Sequence, residues 1–391
     1  MTLFGESHGP MIGAVLDGMA PGIPVSEEHI RTMLTLRRPC GEISTGRVEP
    51  DAFQIVSGVR NGRTTGTPVC ILIPNTQADS TAYPAEGESF PARPGHADYT
   101  GFMKYHGFED RRGGGHFSGR ITAALTAAGA IALDALAGRG IRIGTHILAC
   151  AGIRDRAVGD LEQDIKALSE QTFAVLDEER GCRMREEIAR AASGGDSVGG
   201  ILETAVTGFP AGIGEPWFDT LEGVLSHALF SIPAVKGVEF GAGFSFAQMR
   251  GSEAGDAFIL RSGASESGSA VSVPETSSAD GTGRGLQLQT KTNHNGGING
   301  GISSGMPLIF RCAVKPTPSI FLAQDTVDLV TGKQVKLALR GRHDPAIVHR
   351  ARIVADAVTA LVLCDMLAQR FGTDYLAPES AEGRPDRRKV R

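Results

Sequence analysis

The sequence lacks the marks of several common protein classes. Its six cysteines include no Cys-x-x-Cys pair, so neither a disulfide framework nor a zinc site is indicated, and reduced thiols are expected. No uninterrupted apolar run reaches the length of a membrane span, and no basic segment followed by an apolar one marks a signal peptide. The formal net charge of −5 argues against a general nucleic-acid surface. We therefore expect a cytoplasmic protein that binds neither membranes nor nucleic acids.

Two nucleotide-binding fingerprints are also missing. No Gly-x-Gly-x-x-Gly follows a predicted strand and no Gly-x-x-x-x-Gly-Lys occurs, which disfavours both common nucleotide folds and an ordinary NAD-type oxidoreductase. There is no repeat of solenoid period. The 52 glycines are not periodic, so they exclude collagen and indicate many tight turns and close backbone approaches.

Hydrophobic patterning predicts helices and strands in mixed order, without a regular β-α-β repeat. The predicted helices cover 26–38, 120–137, 160–176, 178–193 and 346–371. The predicted strands cover 69–73, 141–153, 200–207, 235–246 and 307–314. The Ala-rich helix 120–137 has few polar faces and is expected at the centre of the fold. Residues 262–289 are expected to form a mobile insertion and residues 373–391 a disordered tail, because both are polar and of biased composition.

The most informative segments are residues 93–100 and 110–120. Together they hold four arginines, two histidines and a glycine triplet, directly before the predicted central helix. Glycines let backbone N–H groups approach a ligand, and a helix start adds a positive dipole end. Arginine supplies forked donors for phosphate and carboxylate, and histidine supplies a proton near neutral pH. This set predicts proton chemistry on a phosphorylated or polyanionic small molecule.

Two histidines are candidates for that chemistry, and each has a plainer alternative. His8, between small residues, is either a general acid or charge-stabilising imidazole or a solvated side chain in a capped turn. His96 has Asp98 two residues further on, which could orient its ring. The alternative for His96 is a surface turn with a local salt bridge, but the neighbouring arginines favour the functional reading.

Other polar segments allow similar pairs of interpretations. Arg37, Arg38 and Arg47 are either a clamp on a charged ligand or a solvated helix end. Asp344 precedes Pro345, so it is either a site residue or a helix cap. The polar, Gly-rich run 290–305 costs conformational entropy to order, which favours a role in lining a ligand.

In combination, these motifs resemble those of the chorismate synthase family, in the family's order from residue 4 to about 371. The segments that carry the resemblance are 5–9, 93–98, 113–120, 231–237, 293–297, 315–317 and 341–345. The resemblance implies an α+β fold, a β-α-β sandwich with central helices between antiparallel sheets. It also implies one catalytic domain over residues 1–372, assembled as a homotetramer.

The resemblance further implies an activity. The substrate would be 5-enolpyruvylshikimate 3-phosphate, which loses phosphate by anti-1,4-elimination to give chorismate. Reduced FMN would be required without net redox change, and NADPH would serve only indirectly, for flavin reduction. Flavin reduction would be either intrinsic or the task of a separate flavin reductase, which is the commoner bacterial arrangement in the family; no added reductase domain is visible in the sequence. The alternative is a non-catalytic flavin- or phosphate-binding relative that has lost the elimination.

Site residues follow from the same resemblance, position by position, and include no metal ligand. The implied catalytic residues are His8, His96, Asp344 and Ser7. The implied flavin contacts are His116, Phe117, Ser118, Ala234, Gly300, Lys315, Pro316, Thr317, Pro318, Ser319, Arg342 and Arg37. The implied substrate clamps are Arg38, Arg47, Arg111 and Arg120. Two departures from the family's pattern are His116, where many members have arginine, and Asp356, where glutamate is usual.

Overall fold

A computed structural model describes residues 1–39, 41–44, 50–76, 89–260, 288–339 and 343–378. Its α-helices are α1 (Glu27–Arg37), α2 (Asp98–Tyr105), α3 (Thr122–Ala137), α4 (Leu161–Leu168), α5 (Glu178–Ser193), α6 (Leu221–Leu229), α7 (Gly251–Ala254) and α8 (Val348–Phe371). Short 3₁₀ helices cover Gly41–Ile43, Arg112–Phe117, Gly119–Ile121, Gly243–Gln248 and Thr373–Leu376.

Most of the strands are short, and the strands that pair run antiparallel to each other. They are β1 (Thr2–Gly5), β2 (Met11–Leu16), β3 (Gln54–Ser57), β4 (Val59–Arg60), β5 (Arg63–Thr64), β6 (Val69–Pro74), β7 (Arg142–Cys150), β8 (Ile153–Arg154), β9 (Gly200–Thr207), β10 (Val235–Phe240), β11 (Phe258–Leu260), β12 (Leu288–Thr290), β13 (Ile298–Asn299), β14 (Ile302–Ser303), β15 (Leu308–Val314), β16 (Gln324–Val327) and β17 (Gln334–Leu337).

Two antiparallel sheets form the outer layers. The first has strand order β1-β2-β6-β3, and the second has order β10-β15-β9-β7-β8. Alternate residues of β2 and β6, such as Ile12 and Ile71, are fully buried, as the two-residue period of a strand requires when one face meets a core.

The middle layer consists mainly of α3 and α8. Helix α3 packs against β2 and β6 of the first sheet, and α8 packs against β7 and β9 of the second. The two helices approach each other closely at Gly129, where an added Cβ would lie 2.3 Å from the Cβ of Ala357. The α+β sandwich expected from the sequence is therefore confirmed.

The central position predicted for the Ala-rich helix is confirmed as well. The window Gly119–Ala137 is long and apolar enough to cross a membrane, but 83% of it is buried inside the fold. Its composition is that of a core helix enclosed by protein on both sides.

Most predicted elements are confirmed, and several limits are corrected. The prediction of a helix over 160–176 is wrong beyond Leu168, because the Leu176 N–H donates to the Asp155 carboxylate and the Ala174 carbonyl accepts from Ile147. The strand expected over 235–246 ends at Phe240, where Gly241 has a φ of 56°.

The expected insertion and tail also need corrected limits. Residues 288 and 289 are not part of a mobile excursion, since β12 pairs with β11. Residues 373–378 are not a disordered tail, since Thr373–Leu376 form a 3₁₀ helix and Leu376 is 5% exposed. Residues 261–287 and 379–391, which hold the rest of these two predictions, lie outside the described part of the chain.

Candidate active site

The glycine triplet forms a turn against which both candidate histidines lie. Gly113, Gly114 and Gly115 have φ values of 61°, 84° and 54°, a region that residues with a Cβ rarely adopt. A Cβ added to Gly113 would lie 2.5 Å from Cδ2 of His8, and one added to Gly114 would lie 3.3 Å from Nε2 of His96. The turn therefore brings together two imidazoles that are far apart in sequence.

The loop that carries His8 is held by the same turn. The Ser7 N–H donates to the Gly115 carbonyl at 3.1 Å, and Nδ1 of His116 donates to the Gly5 carbonyl at 2.9 Å. The amide of Asn75 donates to the carbonyls of the loop residues Glu6 and Gly9, both at 2.9 Å. Backbone contacts thus fix the position of His8 from both sides.

The hydroxyl of Ser7 lies at this turn and makes no hydrogen bond within the described part of the protein. The residue is 1% exposed, and its Oγ has no hydrogen-bond partner among the described residues. A Cβ on Gly113 would lie 2.8 Å from that Oγ, so the hydroxyl is beside the His8 ring. An unpaired buried hydroxyl is costly in a folded protein, which suggests a role in ligand binding.

His96 is oriented by Asp98, as the sequence predicts. Nδ1 of His96 lies 2.6 Å from Oδ1 of Asp98, and Arg93 binds the same carboxylate through Nη2 at 2.7 Å and Nε at 2.8 Å. Burial alone would raise the pKa of Asp98, but the hydrogen bonds from Arg93 and His96 hold it far below its usual range. With Nδ1 engaged, Nε2 is the His96 atom that faces Gly114.

The segment that begins at Lys315 reaches the loop of His96. Nζ of Lys315 donates to the Gly95 carbonyl, and the Lys315 N–H donates to the Ala234 carbonyl at 2.9 Å. Ala234 itself has a φ of 74°. Oγ1 of Thr317 is buried and has no partner in the described part of the chain. The structure therefore joins Ala234 and the Lys315 segment to the histidine site.

Asp344 belongs to an ion pair and does not cap a helix. It accepts from Arg350, whose Nε also donates to the Arg37 carbonyl at 3.0 Å. Helix α8 begins at Val348, and its N-cap position, Ile347, makes no side-chain cap. The plainer interpretation of Asp344 as a cap is therefore wrong.

Beside Asp344, the half-buried His343 ring lies near the guanidinium of Arg93. Burial lowers the pKa of His343, and the charge of Arg93 lowers it further. Its Nε2 has no hydrogen-bond partner among the residues that the structure describes.

Three of the predicted arginines converge on one carboxylate. Asp51, which is 2% exposed, pairs with Arg37 at 3.3 Å, with Arg38 at 3.5 Å and with Arg120. Nε of Arg120 also donates to Oδ1 of Asn75 at 3.0 Å, which links this cluster to the loop of His8. Arg37 is 1% exposed, so its alternative interpretation as a solvated helix end is wrong.

Sequence reasoning missed Asp51 and Asn75. Buried guanidiniums need carboxylate partners, so an acid at this cluster was required on physical grounds. Its position could not be found from spacing, because Asp51 meets Arg120 across 69 residues and Asn75 meets it across 45.

Several of the other residues predicted to contact flavin or substrate have identifiable surroundings in the structure. The Arg111 guanidinium stacks 4.6 Å from the centroid of the Phe90 ring. The ring centroids of Phe117 and Tyr105 lie 6.1 Å apart. Oγ of Ser118 accepts the Arg120 N–H at 3.2 Å and so starts the turn before α3. Pro316 follows Lys315 in the segment described above, and Ser319, 8% exposed, is buried near its end.

Two groups of predicted residues are not tied to the turn by these contacts. Gly300, with a φ of 63°, lies in the hairpin of β13 and β14, whose neighbour Gly301 packs against Glu215 and Thr220. Its role as a flavin contact stays a prediction. Arg47 and Arg342 lie outside the described residues.

The chain is similar to known proteins over nearly its whole length. The family model described as chorismate synthase matches residues 1–368. The chain belongs to the chorismate synthase family. As a member, it is an enzyme of the carbon–oxygen lyase class.

Relatives named chorismate synthase cover nearly the whole chain. The protein of Thermococcus gammatolerans is 46% identical over 374 residues, which is 94% of this chain and 96% of that relative. The protein of Dehalococcoides mccartyi strain BAV1 is 44% identical over 375 residues, with 95% of each chain covered. A solved crystal structure of chorismate synthase superposes with a TM-score of 0.70 at 26% identity, covering 95% of this chain and 92% of that one.

Proposed function

We propose that this member of the chorismate synthase family eliminates phosphate from 5-enolpyruvylshikimate 3-phosphate to give chorismate, with reduced FMN as cofactor. The reaction breaks one C–O bond and one C–H bond and forms one double bond, so it consumes no oxidant. The observation that carries the proposal is the placement of His8 and His96 on adjacent glycines of one turn. Arg93 and Lys315 contact the loop of His96, and Arg120 is linked through Asn75 to the loop of His8, so cations are available for a substrate with a phosphate and two carboxylates.

The donor set at the turn suits a flavin and an anionic ring compound. Ser7, Thr317 and His343 each present a buried polar atom with no partner among the described residues. Ser7 lies at the turn, the segment of Thr317 contacts the loop of His96 through Lys315, and His343 lies near Arg93 of that loop. When bound, reduced FMN would supply electron density to the ring as phosphate leaves and would take up the departing hydrogen. The residues proposed to hold it are His116, Phe117, Ser118, Ala234, Gly300, the segment 315–319, Arg342 and Arg37.

The two histidines have separate proposed roles. His96 donates the proton on Nε2 to the leaving phosphate, while Asp98 on Nδ1 keeps the ring oriented and stabilises its charged form. His8 holds a proton close to the cofactor, and the neighbouring Ser7 hydroxyl donates a hydrogen bond there. Asp344, held by Arg350, assists proton removal on the cofactor side.

The arginines bind and position the substrate. Arg38, Arg47, Arg111 and Arg120 are the proposed clamps for its phosphate and carboxylates. Of these, Arg38 and Arg120 are held by the Asp51 carboxylate, so their guanidiniums are positioned before a ligand arrives. Positioned cations lose less side-chain entropy on binding than mobile ones.

The proposal extends to the oligomeric state of the enzyme, its compartment and its source of reduced flavin. We propose a homotetramer that acts in the cytoplasm in aromatic amino-acid biosynthesis. A separate reductase would supply reduced flavin at the expense of NADPH.

The test is phosphate release under anaerobic conditions, with dithionite-reduced FMN and 5-enolpyruvylshikimate 3-phosphate. We expect His8→Ala and His96→Ala each to lower kcat by about 10² or more while the substrate still binds, because each removes a proton-transfer group. His227→Ala, on the exposed face of α6, is the matched control and should keep full activity. Wild-type turnover in both histidine variants would refute the assigned roles.

The second candidate is a relative that binds flavin or phosphate without catalysis. It predicts FMN binding by the wild-type chain and no phosphate release in the same assay. The presence of His8, His96 and Asp344 in the sequence favours the catalytic proposal.

A further inference from the structure

A separate cavity lies at the other end of α3. Its volume is about 170 Å³, and its walls include the last turns of α3, the start of β7, part of α4 and two residues of α8. Helix α3 has 16 residues and rises about 1.5 Å per residue, so this cavity is roughly 20 Å from the glycine turn. It is therefore distinct from the candidate active site.

The cavity is lined by a buried cation with an incomplete set of partners. Arg352 is 1% exposed, and its Nη2 donates to the Gln171 carbonyl. Its Nη1 lies 3.8 Å from Oδ2 of Asp356, which is too long for a hydrogen bond. Its Nε has no hydrogen-bond partner in the described part of the chain. Burial lowers the pKa of Arg352, and the charge of Asp356 only partly opposes this effect.

Asp356 is a weak counter-ion for that guanidinium. Burial raises the pKa of its carboxyl to about 6, against the opposing effects of Arg352 and of the hydrogen bond from Thr145. Oγ1 of Thr145 donates to Oδ1 of Asp356 at 2.6 Å, so one carboxylate oxygen is already engaged. A buried cation without a close anion is costly, and a bound anion would remove that cost.

The other charged side chains that line the cavity already have partners, either a second side chain or the backbone. Nδ1 of His29 lies 2.7 Å from Oδ1 of Asp134, and Nη1 of Arg142 donates to the Ala137 carbonyl at 2.7 Å. The remaining walls are largely apolar and include Leu133, Ile141, Ile143, Ile165 and Leu168. The cavity thus combines an apolar body with one buried guanidinium, that of Arg352, and an exposed one, that of Arg142, whose Nη1 is already engaged.

We propose that this cavity binds a small carboxylate with an apolar ring, of about the size of benzoate, through the Arg352 guanidinium. An apolar cavity of about 150 Å³ accommodates a benzene ring, so the volume suits one ring. Arginine pairs with carboxylates through two parallel hydrogen bonds, which gives the site a preference for that head group. Burying the ring against the leucine and isoleucine walls supplies the hydrophobic part of the affinity.

The first test compares three probes that share one ring and differ in charge. Benzoate, benzyl alcohol and benzylamine are titrated into the wild-type protein by isothermal calorimetry. We expect benzoate to bind with a Kd of about 1 mM or lower, and at least tenfold more tightly than either other probe. If benzyl alcohol binds as tightly as benzoate, the apolar walls alone determine the affinity. If benzylamine binds most tightly, the carboxylates of Asp134 and Asp356 determine the preference for charge. Either result, or no binding of benzoate, overturns the proposal.

The second test locates the binding. Arg352→Met keeps the length and apolar stem of the side chain and removes the charge. We expect it to weaken benzoate binding at least tenfold, while the same change at the exposed Arg154 of β8 alters the Kd less than twofold. Circular dichroism establishes that both variants are folded. Unchanged benzoate affinity in folded Arg352→Met would show that the ligand binds elsewhere.

Discussion

At the scale of single residues, Gly113 has the most direct influence on the position of His8. Its φ of 61° is unfavourable for other residues, and any Cβ there would overlap the His8 ring and the Ser7 hydroxyl. We expect Gly113→Ala to displace the imidazole and lower kcat for phosphate release by tenfold or more. The measurement is the anaerobic, reduced-flavin assay together with urea denaturation.

Gly140→Ala is the control that separates the strain of a positive φ from the steric overlap with His8 and Ser7. Gly140 has a similar φ of 75°, but an added Cβ would find nothing within 4 Å. Both substitutions should cost about 1 kcal/mol in the free energy of unfolding through the positive φ, and only Gly113→Ala should lose activity. If both variants retain activity, the turn does not position His8.

The sequence predicts the chemistry-bearing residues better than the residues that hold them. His8, His96 and the contact of Asp98 with His96 follow from motifs, because local spacing places Asp98 within reach of the ring. The partners of the arginines do not follow, since Asp51 and Asn75 reach Arg120 only through the folded chain. Long-range pairing depends on topology, which residue spacing does not encode.

At the scale of elements, the crossing of α3 and α8 leaves no space for a larger residue at position 129. A Cβ on Gly129 would lie 2.3 Å from the Cβ and 2.6 Å from the Cα of Ala357. We expect Gly129→Ala to lower the free energy of unfolding by about 1–2 kcal/mol, because overpacking outweighs the better helix propensity of alanine. Urea or guanidinium denaturation measures the change.

The double variant tests whether the overlap is the cause. Ala357→Gly removes the opposing Cβ and should restore part of the stability lost in Gly129→Ala, although it is destabilising alone. Additive losses in the double variant would mean that the two positions do not press on each other.

The second sheet contains a row of alternating charges across four strands. His146 of β7, Glu203 of β9, Arg311 of β15 and Glu239 of β10 are paired directly opposite one another. Glu203 lies 3.1 Å from His146 and 2.8 Å from Arg311, and it is 2% exposed. A carboxylate buried between two cations contributes to stability mainly because its loss would leave both cations unpaired.

We expect Glu203→Gln to lower the free energy of unfolding by about 3 kcal/mol, as for other buried ion pairs that lose one member. Glu186→Gln, at an exposed position of α5, is the control and should change stability by less than about 0.5 kcal/mol. A loss as small as that of the control would contradict a stabilising role for the row.

The same row gives a characteristic pH dependence. Burial alone would lower the pKa of His146, but its hydrogen bonds to Asp155 and Glu203 raise it above the ordinary 6.5. Burial alone would raise the pKa of Glu203, but hydrogen bonds from His146 and the Val158 N–H hold it below 4.5. The His146 contribution is lost as pH rises through its folded pKa, and the Glu203 contribution is lost as pH falls through its own.

Both contributions are therefore fully present between about pH 4.5 and 6.5. We expect the free energy of unfolding to decline on either side of this window in the wild type. In Glu203→Gln both declines should become shallower, and denaturation at several pH values measures them. Identical pH profiles for the two proteins would exclude the row as their source.

At the scale of the whole molecule, several large apolar side chains remain on the surface near the second sheet. Phe218 is 98% exposed and Phe244 is 84% exposed, and Phe244 follows β10, an edge strand. Exposed aromatic residues and unpaired strand edges mark contact surfaces between chains. We expect them to contribute to the proposed homotetramer.

Light scattering coupled to size exclusion tests that expectation. The wild type should have the mass of four 41.0 kDa chains, and the double variant Phe218→Ser, Phe244→Ser should be smaller. Val56→Ser, which alters an exposed residue of the first sheet, serves as the control and should stay tetrameric. A monomeric wild type would remove the tetramer from the proposal.

The types of the strongest elements could be predicted because they are locally encoded, whereas the sandwich architecture was expected from the family resemblance. The long apolar, Ala-rich run of α3 and the alternation of β9 indicate element type from neighbouring residues alone. The region after Leu168 could not be predicted in this way, since contacts distant in sequence, including the hydrogen bonds of Leu176 and Asp177 to the Asp155 carboxylate, hold it in a non-helical form. Tertiary contacts override helical propensity there.

The burial of α3 has a consequence for how the enzyme fails on heating. The glycine turn and Arg120 directly precede a helix that lies between the two sheets. The candidate active site therefore cannot unfold locally without the core. Parts of a protein that open only with the whole molecule keep their shape until the cooperative transition. Thermal inactivation and loss of tertiary structure should therefore coincide in temperature.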